Sequence, residues 1–224
     1  MARMTAWSYS RWRDYDDCPQ KAKFKYVDKI KEPENDAMAN GSACHDTAAA
    51  YLRADLPVNE PIPGWTYFEQ LYRQLRELEP LVEQEWGFTS DWKPTGWFGN
   101  DTWFRSKLDS AVVYDDGSAD VIDIKTGKPR PDQTAQQGEL YAVSIFCRYP
   151  AVQLVTVRFW YIDLAQAGKE EVYRFSRDMA AGIIERWTKR AKRMLSDERM
   201  VPRPGTGCKW CFYAKSNNGN CKYG

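Results

Sequence analysis

The stretch from 102 to 125 reads TWFRSKLDSAVVYDDGSADVIDIK. Two runs rich in β-branched and apolar residues flank Asp115, Asp116 and Gly117, a three-residue hairpin loop whose last position suits the left-handed conformation that glycine tolerates. That loop dictates a register. Tyr114 faces Ser118, and counting back along both arms brings Asp109 opposite Asp123. Side chains alternate across a strand, so Val121, Asp123 and Lys125 share one face while Ile122 and Ile124 share the other. In this register the Cβ atoms of Asp109 and Asp123 stand roughly 4.5 to 5.5 Å apart. Two carboxylates facing each other in a half-buried sheet repel, and loss of water sharpens the repulsion unless a cation lies between them. A hard divalent ion such as Mg²⁺ or Mn²⁺ suits oxygen ligands of this kind. An adjacent ammonium suits a charged phosphate or an attacking water. Taken alone, D-x-K is also what a water-exposed edge strand would carry, so its surroundings decide.

Those surroundings alternate helix and strand. SYSRWRDYDDCPQKAKFKYV has helical spacing from an N-cap at Ser8 or Ser10 and breaks at Pro19. GSACHDTAAAYLRADL opens on Gly41 and Ser42, runs as a helix to Pro57, and carries the chain's one histidine, His45, in its first turns. WTYFEQLYRQLRELEP reads as a helix ended by Pro80, LVEQEWGF as a strand, and 92–101 as a Trp-rich loop. Thr134 to Phe146 reads as a helix, VQLVTVRFWYIDL and VYRFS as strands, and MAAGIIERWTKRAKRML as an amphipathic helix with a basic face. The organisation expected is one domain over 1–224, with a helical region at 1–57, a sheet core at 81–175, and a helix and cysteine-bearing tail at 176–224.

In chain order, GSACHD, LDSA, VIDIKTGK and QQGELYA resemble the PD-(D/E)XK superfamily, and within it the RecB-like nuclease branch. The resemblance covers nearly the whole chain. It implies an α/β fold of restriction-endonuclease type, with a mixed central sheet flanked by helices. It makes His45, Asp109, Asp123 and the Ile124 carbonyl ligands of Mg²⁺ or Mn²⁺, and Lys125 the catalytic lysine. Gln137 and Tyr141, one helical turn apart, match the family's Q-x-x-x-Y and contact DNA or brace the lysine. An acidic residue is expected on the preceding strand, where Glu83 and Glu85 both qualify and Glu83 is preferred. One departure is Ser106, where the family usually has glycine; its side chain is expected to narrow the DNA approach without removing a ligand.

Cys208 and Cys211 form a C-x-x-C, Cys221 follows, and Cys18 precedes Pro19 far upstream. From spacing alone a structural zinc fits. The resemblance points instead to a [4Fe-4S] cluster on Cys18, Cys208, Cys211 and Cys221, as in AddB-type nucleases and CRISPR-associated adaptation exonucleases. Such a cluster would pin the Gly/Pro/Asn-rich tail onto the first helix. Cys44 and Cys147 are expected to be plain thiols.

Lys plus Arg (32) nearly balances Asp plus Glu (31), so a nucleic-acid partner must meet a local basic patch. Arg186, Lys189, Arg190, Lys192 and Arg193 offer a phosphate-tracking stripe, and SYSRW and DWKPTGWFGNDTWF offer stacking surfaces for unpaired bases. The N-terminus lacks an apolar signal core and no run reaches membrane-spanning length, so a cytoplasmic protein of a bacterial, archaeal or phage-infected cell is expected. The implied activity is metal-dependent hydrolysis of DNA, exonucleolytic on single strands, in recombination, repair or phage DNA processing. Two alternatives stay open: DNA-end trimming beside an integrase or recombination partner, and structure-selective endonuclease action.

Overall fold

Gly117 has a φ of 81°, the left-handed value the loop requires, and the Tyr114 N–H donates to the Ser118 carbonyl at 2.9 Å. From that turn the hairpin runs in the expected register, pairing Val113 with Ala119 and continuing to Ser110 with Ile122. The computed structural model describes residues 4–57, 64–163 and 167–223. Its strands are β1 (Leu81–Phe88), β2 (Pro94–Thr95), β3 (Phe104–Val113), β4 (Ser118–Lys125), β5 (Leu154–Tyr161) and β6 (Lys169–Ser176). They form one six-stranded sheet in the order β2-β1-β3-β4-β5-β6. Every neighbouring pair is antiparallel except β4 and β5, so the sheet is mixed. A parallel pair needs a crossover, and α5 (Pro131–Arg148) provides it.

The remaining helices are α1 (Tyr9–Asp17), α2 (Pro19–Ala22), α3 (Asp36–Leu52), α4 (Trp65–Glu77) and α6 (Ala180–Ser196). Ser8 caps α1, accepting from the Arg11 N–H at 3.4 Å, and Pro19 opens α2, where its missing N–H costs nothing. The start of α3 departs from expectation. Asn35 caps it through the Met38 N–H, so the helix begins five residues before Gly41 and places His45 in its middle. Gly41 stays helical because it lies against the end of β4: an added Cβ would stand 3.2 Å from Thr126 Oγ1.

Both faces of β4 are covered, which corrects the half-buried sheet expected from the hairpin alone. Val121 and Phe159 pack with Leu140 of α5 and Trp187 of α6, whereas Ile122 and Ile124 pack with Tyr51, Phe68 and Tyr72 of α3 and α4. The first layer is knitted by tryptophans. Trp187 is fully buried, stacks on Trp7 at 5.9 Å, meets Trp12 edge-on at 4.7 Å and donates from Nε1 to Glu139 at 2.7 Å.

This packing consumes part of the basic stripe. Arg186 pairs with Glu139 at 2.7 Å, and the Arg190 guanidinium lies over the Trp12 and Trp187 rings, leaving Lys189, Lys192 and Arg193 to solvent. Most of the aromatic surface is also internal: Trp12 and Trp92 are buried, and Trp92 Nε1 donates to Thr188. Among the described residues no helix is long and apolar enough to cross a membrane. Trp187→Ala is expected to lower stability by about 3–5 kcal/mol, through lost burial and an unfilled cavity. Urea unfolding would show this as a lower midpoint at an unchanged slope.

Candidate active site

The ladder between β3 and β4 stops at Ser110 and Ile122, one pair short of Asp109 and Asp123. The Ile124 N–H donates instead to the Asp109 carboxylate, at 2.9 Å from Oδ2. A side chain thus replaces the neighbouring backbone as the acceptor for this strand group. The pairing of β1 with β3 skips the same level: Val82 faces Ser110 and Gln84 faces Leu108, with Glu83 and Asp109 left out between them. Glu83 has a φ of 50°, a left-handed conformation that costs a non-glycine residue about 1–3 kcal/mol. The consequence is a change of face. Val82 and Val112 pack in the α3/α4 layer, whereas Trp86 and Leu108, an even number of residues away in each strand, pack in the opposite one. Irregularities of this kind turn side chains toward active sites.

A cleft of 540 Å³ opens where the strands diverge, lined by His45, Glu83, Asp109, Asp123 and Lys125. Three carboxylates there each meet a base. His45 Nδ1 lies 3.0 Å from Asp109 Oδ2, Lys107 Nζ lies 2.5 Å from Glu83, and Lys125 Nζ lies 2.6 Å from Asp123 Oδ2. Burial raises the Asp109 pKa, and the Asp123 charge raises it further, against the pull of His45 and the Ile124 N–H. Burial also opposes a charged His45, but the Asp109 hydrogen bond and charge outweigh it and hold the imidazole above its ordinary value. One atom each from His45, Glu83 and Asp109 lies within 4.8 Å of the others, a spacing open to a metal ion.

Asp123 is held differently. It is 2% exposed, and its Oδ1 accepts from the Tyr141 hydroxyl at 2.6 Å and Gln137 Nε2 at 3.1 Å. Gln137 Oε1 in turn accepts from Lys125 Nζ at 2.9 Å, and its Nε2 lies 2.6 Å from the Tyr141 oxygen. The strand acid, the strand lysine and two residues one turn apart on α5 therefore close a ring. Burial, with the Asp123 charge next, raises the Tyr141 pKa well above its ordinary value, so the hydroxyl keeps the proton it donates. Lys125 is fixed from two sides rather than left to sample solvent.

A family model described as the PD-(D/E)XK nuclease superfamily matches residues 6–112 and 64–216. The chain belongs to that superfamily. The crystal structure of a candidate exonuclease from Eubacterium rectale aligns with a TM-score of 0.52 at 12% identity, over 92% of this chain and 87% of that one. SSO0001 aligns with a TM-score of 0.49 at 14% identity, over 95% and 85%, and LHK-Exo, crystallised with dAMP, with 0.46 at 16%, over 88% and 90%. No curated protein is significantly similar to the chain. The Eubacterium likeness shows a shared fold, which in this chain is the mixed six-stranded sheet with helices on both faces.

Within this nuclease-superfamily chain the sequence-derived residues divide. His45, Glu83, Asp109, Asp123, Lys125, Gln137 and Tyr141 all line the cleft. The close triad holds His45, Asp109 and the preceding-strand acid Glu83, while Asp123 lies outside it with its oxygens engaged by Tyr141, Gln137 and Lys125. Ile124, whose carbonyl is expected as a ligand, also donates its N–H to Asp109. Glu85 pairs at the level of Lys107 and is exposed. Lys107 is the residue that sequence reasoning missed, since a lysine alternating along a strand reads as a solvent-facing one.

Cys18, Cys208, Cys211 and Cys221 line a second cleft, of 820 Å³, and all six cysteines are free. The Arg203 N–H donates to Cys18 Sγ at 3.4 Å, joining the tail to the end of α1. The tail also has an apolar anchor of its own: Tyr213 is buried, packs on Phe24 and donates to the Ile30 carbonyl at 2.9 Å. Cys44 is buried in the α3/α4 layer, and burial pushes the Cys147 thiol up to about 11.

The raised His45 pKa has a pH signature. Its contribution to stability is full below the unfolded value of 6.5 and is lost as pH rises through the higher folded value. In metal-free protein His45→Gln is therefore expected to cost most stability below pH 6.5 and progressively less under alkaline conditions. Urea midpoints of both proteins between pH 5.5 and 9 would check this, and a cost that grows with pH would contradict it.

Proposed function

We propose that the protein is a metal-dependent deoxyribonuclease of the RecB-like iron-sulfur branch, acting exonucleolytically on single-stranded DNA. The observation that carries this reading is the ring of Asp123, Lys125, Gln137 and Tyr141 set against the triad of His45, Glu83 and Asp109. The donor set of one imidazole and carboxylate oxygens fits Mg²⁺ or Mn²⁺. Asp109, His45 and Glu83 would hold the ion, with Asp123 and the Ile124 carbonyl as further ligands. A bound ion would lower the pKa of a coordinated water and offset charge on the scissile phosphate.

The chain's own residues do the rest. Asp109 is kept ready as a ligand by the Ile124 N–H, which orients its carboxylate. Lys125, aimed by Gln137, places its ammonium where an attacking water is oriented and where negative charge grows on the phosphate. Tyr141 and Gln137 keep Asp123 from turning away to solvent. Lys107 and His45 pair with Glu83 and Asp109, and a cation held by those acids would free the lysine to meet a phosphate and the imidazole to serve as a ligand.

The four cysteines Cys18, Cys208, Cys211 and Cys221 line one cleft, which supports a group held by all four. Four thiolates are the usual ligand set of an iron-sulfur cluster. Bound there, it would close the loop between Cys18 and the tail and hold α1 beside the C-terminus.

Two experiments test the reading. Asp123→Asn and Lys125→Ala are each expected to slow Mn²⁺-dependent cleavage of end-labelled single-stranded DNA by about 100-fold or more, with the fold retained. Unchanged digestion by either variant would overturn the active-site assignment. Anaerobically purified protein is expected to be brown, with iron and sulfide near four each per chain. Colourless protein with one zinc would overturn the cluster.

A further inference from the structure

Next to the catalytic cleft lies another, of 340 Å³, within the volume range of about 300–1,000 Å³ usual for small-ligand sites. Lys107, Gln137 and Tyr141 line both clefts, so the two adjoin. The walls of the second come from chain segments that the fold forces together. Residue Trp7 pairs in parallel with the start of β3, its N–H donating to the Trp103 carbonyl and its carbonyl accepting from the Arg105 N–H at 2.8 Å. That pairing brings Arg11 at the start of α1 into the same cleft as Arg105.

Both guanidiniums are partly buried, and among the described residues no carboxylate lies within ion-pair distance of either. Burial, and after it the charge of Arg105, depresses the Arg11 pKa, so the two cations are close enough to disfavour each other. Arg11 is held by the Ala6 carbonyl at 2.7 Å and Arg105 by the Trp97 carbonyl at 2.9 Å. Each uses only part of its donor fork on those bonds, leaving N–H groups suited to phosphate oxygens. Arg105 also lies 5.5 Å from the centre of the Trp97 ring and 5.4 Å from that of Phe98. Trp97 lines the cleft, and Phe98, against the same guanidinium, has 83% of its surface exposed. The other aromatic side chains of this loop region do not offer themselves in this way: Trp92 is buried and Trp103 packs on Trp7.

We propose that this cleft binds the nucleotide adjoining the scissile phosphodiester of an unpaired DNA strand, its base stacked on Trp97 and Phe98 and its phosphate between Arg11 and Arg105. A stacked aromatic face is tolerant of sequence, and two unpaired arginines neutralise a phosphate without reading a base. Ser106, whose side chain was expected to narrow the DNA approach, lies on the wall of this cleft and not across the metal triad. The proposal rests on the nuclease reading for the word scissile, but the binding itself is separable from catalysis.

Fluorescence anisotropy of a fluorescein-labelled oligothymidylate, titrated with the full chain in EDTA, tests it without cleavage. Phe98→Ala is expected to weaken binding about 5-fold or more, and Phe98→Trp to preserve it. Arg105→Gln is expected to weaken binding and to lower the slope of log affinity against log salt by about 0.7. Phe98 is exposed, so its loss leaves the fold intact, and a thermal melt of each variant verifies this. Wild-type affinity in both Phe98→Ala and Arg105→Gln, or no oligothymidylate binding by the wild type, would overturn the subsite. If these losses appear but the wild type with Mn²⁺ leaves the oligonucleotide uncut, the subsite stands and the nuclease reading fails. If it cuts while the variants bind like wild type, the nuclease reading stands and the subsite fails.

Discussion

One hydrogen bond organises the functional end of this molecule: the Ile124 N–H donating to the Asp109 carboxylate. A central strand of a sheet must satisfy its backbone groups on both sides, and beyond Ile122 the neighbouring β3 backbone no longer does so. Asp109 fills that need with a side chain, which lets β3 leave β4 without orphaning a buried donor. The departure opens a cleft between two strands that remain anchored a few residues away. It also commits an acid to a largely enclosed position beside Asp123, where desolvation and the neighbouring charge raise its pKa and create a demand for positive charge. His45, Lys107 and Lys125 meet that demand, each beside one carboxylate.

The two apolar layers hold the partners in place around that cleft. From one side α3 presents His45, and from the other α5 presents Gln137 and Tyr141. Each helix is fixed by packing against the sheet. Tyr51 and Leu52 seat α3 against the sheet, and Leu140 and Ile145 seat α5. The tryptophan cluster about Trp187 locks α1 to α6, and with α1 the arginine that shares the adjoining cleft with Arg105.

Much of the hairpin was legible because its turn is governed by local sterics. Gly117 takes a left-handed φ, and a three-residue loop then leaves a single register. The start of α3 was less legible: Gly41 looks like a boundary, yet glycine is tolerated inside a helix where a neighbour approaches closely, and the true cap is Asn35. The basic face of α6 misled in a similar way. A run of arginines has one appearance in sequence whether it faces water or, like Arg190, lies on buried indole rings. At Glu83 local propensity points against the observed backbone, and the strain there coincides with the level at which both strands change face.

The sequence by itself determined which residue types meet at the cleft, since the spacing of Asp123 and Lys125 on one strand face and of Gln137 and Tyr141 on one helix face follows from periods of two and 3.6 residues. It also determined the hairpin register, through Gly117. Only the tertiary structure decided which oxygens are free. Tyr141, Gln137 and Lys125 claim Asp123, and Glu83 joins His45 and Asp109, because long-range packing sets which side chains converge from separate elements. The meeting of Arg11 with Arg105 beside Trp97 is of the same kind: residues some ninety positions apart become neighbours through one parallel bridge at Trp7, which no local pattern encodes.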